Sequence, residues 1–230
     1  MRPVGILTGL PAEAAILEKA AGEIDPAPII ACSRGAARLA AEEADRLVRE
    51  QPSGFLSFGL AGALDPRLMP GTIVLAERII APDGKTTICD QTWLRAVARH
   101  LSTAGIEVRV GAIAGADRAV ATPEAKLDLA QRTGALVVDM ESHILARRIR
   151  RAGPLLALRA VADPTGRTIP PAAMAAMTEE SGYRPEKTLI ALLRRPADLG
   201  GVLKLARDAK MGFAALSRVA ASGAPFLPAV

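Results

Sequence analysis

Aromatic side chains are nearly missing from this chain: four Phe, one Tyr and one Trp among 230 residues. The stacking platforms on which a single-strand nucleic-acid binder lays its bases are therefore mostly absent. The cationic excess is small, 29 Lys and Arg against 24 Asp and Glu. A net charge of +5 allows weak attraction to anionic surfaces, and nucleic acid is not expected as a partner. Cysteine is scarce as well. Cys32 and Cys89 stand far apart with no CxxC or metal-ligand spacing, as in a reduced cytosolic protein, and read as core rather than chemistry. Long apolar runs are also lacking, which excludes a hydropathy-defined membrane span. The N-terminal apolar run is interrupted by Pro11 and Glu13 before any signal-peptide core forms, so a cytoplasmic protein is predicted, with any membrane contact peripheral.

What is present reads as one α/β domain over 1–230, a length that can bury a substantial core. Apolar, partly β-branched runs predict strands at 4–9, 28–33, 54–58, 72–80, 108–115, 135–138 and 154–162. Between them lie helical periodicities. Pro11 opens one helix, Ala36, Ala40, Ala44, Leu47 and Val48 recur on a second, and Trp93, Leu94, Val97 and Leu101 on a third. Others are expected at 123–132, 142–152, 186–194 and 197–220, the last with Leu199, Val202, Leu203 and Ala206 as an apolar stripe.

Acids recur at the strand ends. The run Ala135 to Val138 stops at Asp139, Met140 and Glu141, and a helix follows. Ligands of open α/β sheets bind just beyond strand ends, so Glu141 suits a substrate hydroxyl. It equally suits the positive end of the helix it opens. Glu13, in the first turn after strand one, carries the same two readings and joins the same layer if the sheet is parallel. Asp163 ends the last strand, and Pro164 keeps it out of helical geometry. Arg34 projects from a glycine-containing turn before a helix, a place suited to an anion or to a solvated turn residue. Gly59, Leu60, Ala61 and Gly62 form a small-residue turn whose backbone N–H groups can approach a ligand closely.

The segments GILTGLPAEAAIL, FGLAGALDPRLMPGTIVLAE, VVDMESHILA and LRAVADP, in this order, resemble the superfamily of nucleoside phosphorylases and 5′-methylthioadenosine/S-adenosylhomocysteine nucleosidases. The C-terminal KTLIALLRRPADLGGVLKLARDA further resembles the hopanoid-associated branch, which is implied to remove adenine from adenosylhopane. The resemblance implies a mixed, partly barrel-like sheet flanked by helices, no cofactor or metal, and a homo-oligomer acting on a small-molecule or lipid-linked purine nucleoside. It also implies roles. Glu141 would hydrogen-bond the ribose hydroxyls while Met140 packs on the sugar, Asp163 would protonate the purine at N7, and Glu13 would orient an attacking water. Gly59, Ala61 and Gly62 would line the substrate.

Cleavage of the C1′–N9 bond builds positive charge on the ribose and negative charge on the base, which is why carboxyl groups are wanted at both ends. Burial beside an apolar strand favours the neutral form of Asp163, the form that can donate. Were inorganic phosphate the attacking co-substrate, Thr8, Gly9 and Arg34 are the candidate contacts. Leu60 stands where the family usually has serine, Ser57 where one phosphorylase branch has a phosphate-binding arginine, and no aromatic residue at 119–121 matches the usual base stacker. Hydrolysis or phosphorolysis of adenosylhopane, hydrolysis of methylthioadenosine, and non-catalytic nucleoside or membrane-surface binding are the three readings carried forward.

Overall fold

The structure, a computed structural model, describes residues 2–22, 24–149, 152–175, 177–178, 182–183 and 185–227. In chain order the elements are β1 (Gly5–Thr8), α1 (Pro11–Ala21), β2 (Ile29–Cys32), α2 (Ala37–Arg49), β3 (Phe55–Ala63), β4 (Ile73–Ile80), β5 (Thr86–Ile88), α3 (Gln91–Thr103), β6 (Val108–Gly115) and α4 (Pro123–Thr133). They continue with β7 (Val137–Asp139), α5 (Ser142–Ile149), β8 (Leu155–Asp163), α6 (Pro171–Met174), the short hairpin β9 (Met177–Thr178) and β10 (Gly182–Tyr183), α7 (Pro185–Arg194) and α8 (Leu199–Ala221). Local chemistry explains several boundaries. Asp90 accepts the Trp93 N–H at 2.8 Å to start α3, and Thr122 accepts from Ala125 ahead of Pro123 to start α4. Gly134, at φ +64°, ends α4 in the left-handed region that glycine tolerates.

The sheet is mixed and closes on itself. β3 pairs parallel with β8, β8 antiparallel with β4, β4 parallel with β6, β6 parallel with β7, and β7 antiparallel with the far end of β3. Those five strands make a ring, with β1 and β2 added beside the near half of β3 and β5 beside β4. Helices cover it, and the core cluster joins strands, α1, α2, α3, α5 and α8. The wholly parallel sheet on which a shared layer for Glu13 and Glu141 is premised is not adopted, because β7 runs against β3; the antiparallel pairing still brings the end of β7 to the middle of β3.

β3 is the strand on which the molecule turns. The segment Gly59 to Gly62, expected as a turn, stays in the strand and pairs with β8 through a register shift at Ala61/Gly62. Small side chains there let the strand bend and exchange β1 for β7 as its neighbour. The stripe expected on the last helix also moves. Leu199 and Leu203 are exposed, and the buried face of α8 is Asp208, Gly212, Ala215, Leu216, Val219 and Ala220. Gly212 explains how α8 comes so close: a β-carbon there would sit 2.7 Å from Leu60 Cδ2. The helix expected over 142–152 is described to Ile149; Arg150 and Arg151 lie outside the described residues. Among the described residues no helix is long and apolar enough to cross a membrane.

Candidate active site

The site forms where β1, β3, β7 and β8 end or bend. Pro11 and the first turn of α1 bring Glu13 back over the end of β1, where the side chain is buried. Its Oε2 accepts the Gly9 and Leu10 N–H groups, both at 2.8 Å, and its Oε1 accepts the Leu60 N–H at 2.8 Å. Glu13 thus ties the loop after β1 to the middle of β3. A carboxylate oxygen can accept twice, so Oε1 keeps a lone pair for a water. Burial pushes the Glu13 carboxyl up, against the three N–H groups and the Arg159 charge, which pull it down.

Glycines make room for these acids. A β-carbon on Gly59 would stand 2.7 Å from both Glu13 oxygens, and one on Gly9 would stand 2.8 Å from Glu141 Oε1. Glu13 and Glu141 are accordingly neighbours, brought together across Gly9. Burial first, then the Asp139 and Glu13 charges, push the Glu141 carboxyl up to about 8, with Arg159 opposing. Met140, beside it, is half-buried.

Beneath the two glutamates lies a buried polar network. Arg159, in the wholly buried strand β8, donates from Nε to Asp139 Oδ2 at 2.8 Å and from Nη2 to the same oxygen, to Ser57 Oγ at 2.6 Å and to Ser142 Oγ at 3.0 Å. Ser142 donates to Asp139 Oδ2 from its backbone at 3.0 Å and from its hydroxyl at 2.5 Å. Ser57 is therefore no vacancy for an arginine. It receives the guanidinium that β8 supplies from the neighbouring strand.

Asp163 lies at the other end of the bent segment. A β-carbon on Gly62, three residues and about 10 Å along the strand from Gly59, would lie 3.5 Å from Asp163 Oδ2 and 3.4 Å from Val138. Asp163 Oδ2 is 2.6 Å from Lys126 Nζ, and its buried Oδ1 has no protein partner. Burial pushes the Asp163 carboxyl up, and Lys126 is the strongest opposing influence. Arg167 and the buried Asp208 form an ion pair at 2.7 Å nearby. The candidate catalytic carboxyls thus stand at two ends of one strand segment made of Gly59, Leu60, Ala61 and Gly62.

The candidate phosphate contacts divide. Thr8 is buried and gives its hydroxyl proton to Ala31 O at 3.2 Å, and the Gly9 N–H is held by Glu13. Arg34 is exposed at the end of β2, in the left-handed region at φ +53°, followed by Gly35 and α2. Among the described residues no three His, Cys, Asp or Glu side chains gather as metal ligands.

Sequence reasoning passed over Arg159 and Lys126. Arg159 had a signal: one arginine inside LLALRAVAD, a run otherwise fit for a buried strand, requires an anion beside it. Lys126 had none, since EAKLDLAQR reads as a solvated helix face.

Comparison with known proteins bears on the family and the fold. The Phosphorylase superfamily family model matches residues 20–195. No curated protein sequence matches. Among solved structures, a 5′-methylthioadenosine/S-adenosylhomocysteine nucleosidase from Neisseria meningitidis, in complex with methylthio-immucillin-A, is similar with a TM-score of 0.74 at 17% identity, covering 96% of this chain and 98% of that one. The corresponding nucleosidase of Helicobacter pylori, with butyl-thio-DADMe-Immucillin-A, gives 0.69 at 16% identity over 95% and 97%. Futalosine hydrolase of Helicobacter pylori gives 0.68 at 16% identity over 94% and 96%.

Proposed function

Since this chain belongs to the phosphorylase superfamily, we propose that it cleaves the N-glycosidic bond of a purine nucleoside and releases adenine. One observation carries the reading: Glu13 and Glu141 gather at Gly9 and Gly59 while Asp163 stands at Gly62, so carboxyl groups flank both ends of one small-residue segment of β3. In this mechanism Glu141 hydrogen-bonds the ribose hydroxyls and Met140 packs on the sugar, at the end where the oxocarbenium-like transition state builds its positive charge. Asp163 gives a proton to N7 as the C1′–N9 bond breaks, and the base departs neutral. Glu13 Oε1 orients the water that attacks C1′. Water is favoured over phosphate because the Thr8 hydroxyl and the Gly9 N–H already have protein partners, which leaves Arg34 as the remaining anion contact.

For the substrate, the C-terminal resemblance and the shortage of aromatic residues support adenosylhopane. The similar structures of methylthioadenosine nucleosidases support the smaller nucleoside as the second reading. A surface feature favours the lipid-linked substrate. Ile190 and Leu193 on α7 and Leu199 and Leu203 on α8 are 52%, 80%, 49% and 61% exposed, at a corner that also carries Arg194, Arg195, Lys204 and Arg207. Asp198, at the same corner, has its carboxylate engaged by the Ala172 N–H at 3.1 Å. Exposed apolar side chains with cations close by in the sequence match an anionic bilayer surface. The corner packs on the segment that follows Asp163, where a β-carbon on Gly201 would stand 2.7 Å from Pro170. The same reading makes the protein a cytoplasmic homo-oligomer, which light scattering of the purified protein checks.

The deciding assay measures adenine release from adenosylhopane and from methylthioadenosine, with and without phosphate, and weighs the sugar product. A higher kcat/KM on adenosylhopane, with turnover in phosphate-free buffer, is expected. Faster methylthioadenosine turnover moves the assignment to the smaller substrate, and a product found only as the ribose 1-phosphate moves it to phosphorolysis. For the corner, phosphatidylglycerol vesicles should retain the protein at low salt and release Leu193→Glu/Leu199→Glu. Equal behaviour of the two proteins would remove the membrane contact.

A further inference from the structure

Lys126 is fully buried in α4, which is rare for a lysine and requires that its charge be matched. Its ammonium has three N–H groups and finds three acceptors: Asp163 Oδ2 at 2.6 Å, Pro164 O at 2.9 Å and Arg167 O at 3.2 Å. All three belong to the turn that leaves β8, so one side chain from a separate helix fixes the whole turn. The other carboxyl oxygen, Oδ1, is buried without a protein hydrogen bond. One oxygen is therefore anchored and the other is left for something that no residue supplies.

We propose that Lys126 is the positioning residue of the base-protonating acid: it holds Asp163 with Oδ1 turned to the leaving purine and stabilises the carboxylate left behind when the proton departs. This rests on the reading of Asp163 as that acid. In the step, the C1′–N9 pair goes to the purine, the Asp163 O–H bond breaks, its proton joins N7, and the electron pair stays on the carboxylate beside the ammonium. Water bonds to C1′ and loses its proton to Glu13, which releases it to solvent, and Asp163 takes one proton back from solvent, so the cycle closes. The other charges facing Asp163 are Arg167, from the same turn, and Asp208, from α8, which act in opposite directions and are paired with each other. Lys126 is thus the cation in direct contact with it.

Removing the ammonium leaves Asp163 in a buried place without its counter-ion, so it becomes a weaker acid. Activity that needs its protonated form is lost as pH rises through its pKa, and that alkaline limb of kcat/KM therefore moves to higher pH. Lys126→Met and Lys126→Gln separate the parts: Met removes charge and hydrogen bonds, whereas Gln keeps a donor without the charge. Two substrates distinguish acid chemistry from general damage. Adenine needs protonation to leave, and p-nitrophenol, from p-nitrophenyl β-ribofuranoside, does not. For both variants adenine release from methylthioadenosine or adenosylhopane should fall about 10- to 100-fold relative to nitrophenol release, with kcat falling more than KM rises and the alkaline limb displaced upward. An unmoved limb with equal losses on both leaving groups would overturn the proposal. If Lys126→Met does not fold, Lys126→Gln decides by the same two readouts. Asp163→Asn separates the proposal from the reading beneath it: near-wild-type adenine release in that variant refutes the acid itself, whereas a crippled Asp163→Asn beside a Lys126→Gln of unchanged profile refutes only the role of the lysine.

Discussion

Replacing Glu13 by glutamine tests whether this residue is more than a helix cap. The wild-type carboxylate accepts N–H groups from Gly9, Leu10 and Leu60, each at 2.8 Å. Glutamine has one oxygen and one NH₂ to offer. With its oxygen placed toward Gly9 and Leu10, its NH₂ meets the Leu60 N–H, donor against donor. One charge-assisted hydrogen bond worth roughly 1.5–3 kcal/mol is then lost, and the two that remain weaken by about 1 kcal/mol each. Against this, a buried neutral amide costs less than the ionised carboxyl whose pKa burial raises, which returns about 1–2 kcal/mol. The net loss is about 1.5–4 kcal/mol. In a chain of this size each kcal/mol moves Tm by roughly 2–4 °C, so a fall of about 3–16 °C is expected in a thermal melt. Turnover should fall by about 10²-fold or more at saturating nucleoside, since the water loses its acceptor. A Tm within about 1 °C of wild type would refute the role assigned to the three N–H groups. The full Tm loss with unchanged kcat would show that Glu13 only closes the first turn of α1.

Further outcomes follow from the same geometry. The Glu141 carboxyl, raised from 4.5 to about 8, contributes stability that is complete below the lower value and lost as pH rises through the upper one. Glu141→Gln should therefore gain in Tm relative to wild type between pH 5 and pH 9, while losing activity; a pH-independent difference would contradict this. Arg159→Met leaves Asp139 buried and unpaired and should cost about 3–5 kcal/mol in urea denaturation, with part recovered by adding Asp139→Asn. Gly59→Ala places a methyl group 2.7 Å from the Glu13 oxygens and should lower kcat about 10-fold or more, whereas Gly200→Ala, with nothing within 4 Å, should not. Equal activity of these two variants would mean that the Glu13 carboxylate can shift without consequence.

The sequence by itself determined most of the elements and the strand-end positions of the three acids. Short apolar runs could only be buried strands, Pro11 and Pro123 could only open helices, and Glu13, Glu141 and Asp163 stood where runs stop, all of which is local information carried by neighbouring residues. Their assignment to one candidate site needed the resemblance, because spacing alone left Glu13 and Glu141 fit for helix N-termini as well and gave Asp163 no partner. Tertiary structure decided the rest. Whether β7 ran with or against β3 depended on barrel closure, which no single strand encodes. Gly59 to Gly62 read as a turn because glycine and alanine favour turns, yet two neighbouring strands held the segment extended. Leu199 and Leu203 show the same limit: periodicity identified an apolar stripe on α8, but packing against β8 chose the face bearing Gly212, where the helix could come closest. Lys126 marks the far end of this scale. Nothing in its helix distinguishes it from a solvated lysine, and only the fold, by bringing α4 over the end of β8, made it the counter-ion of Asp163.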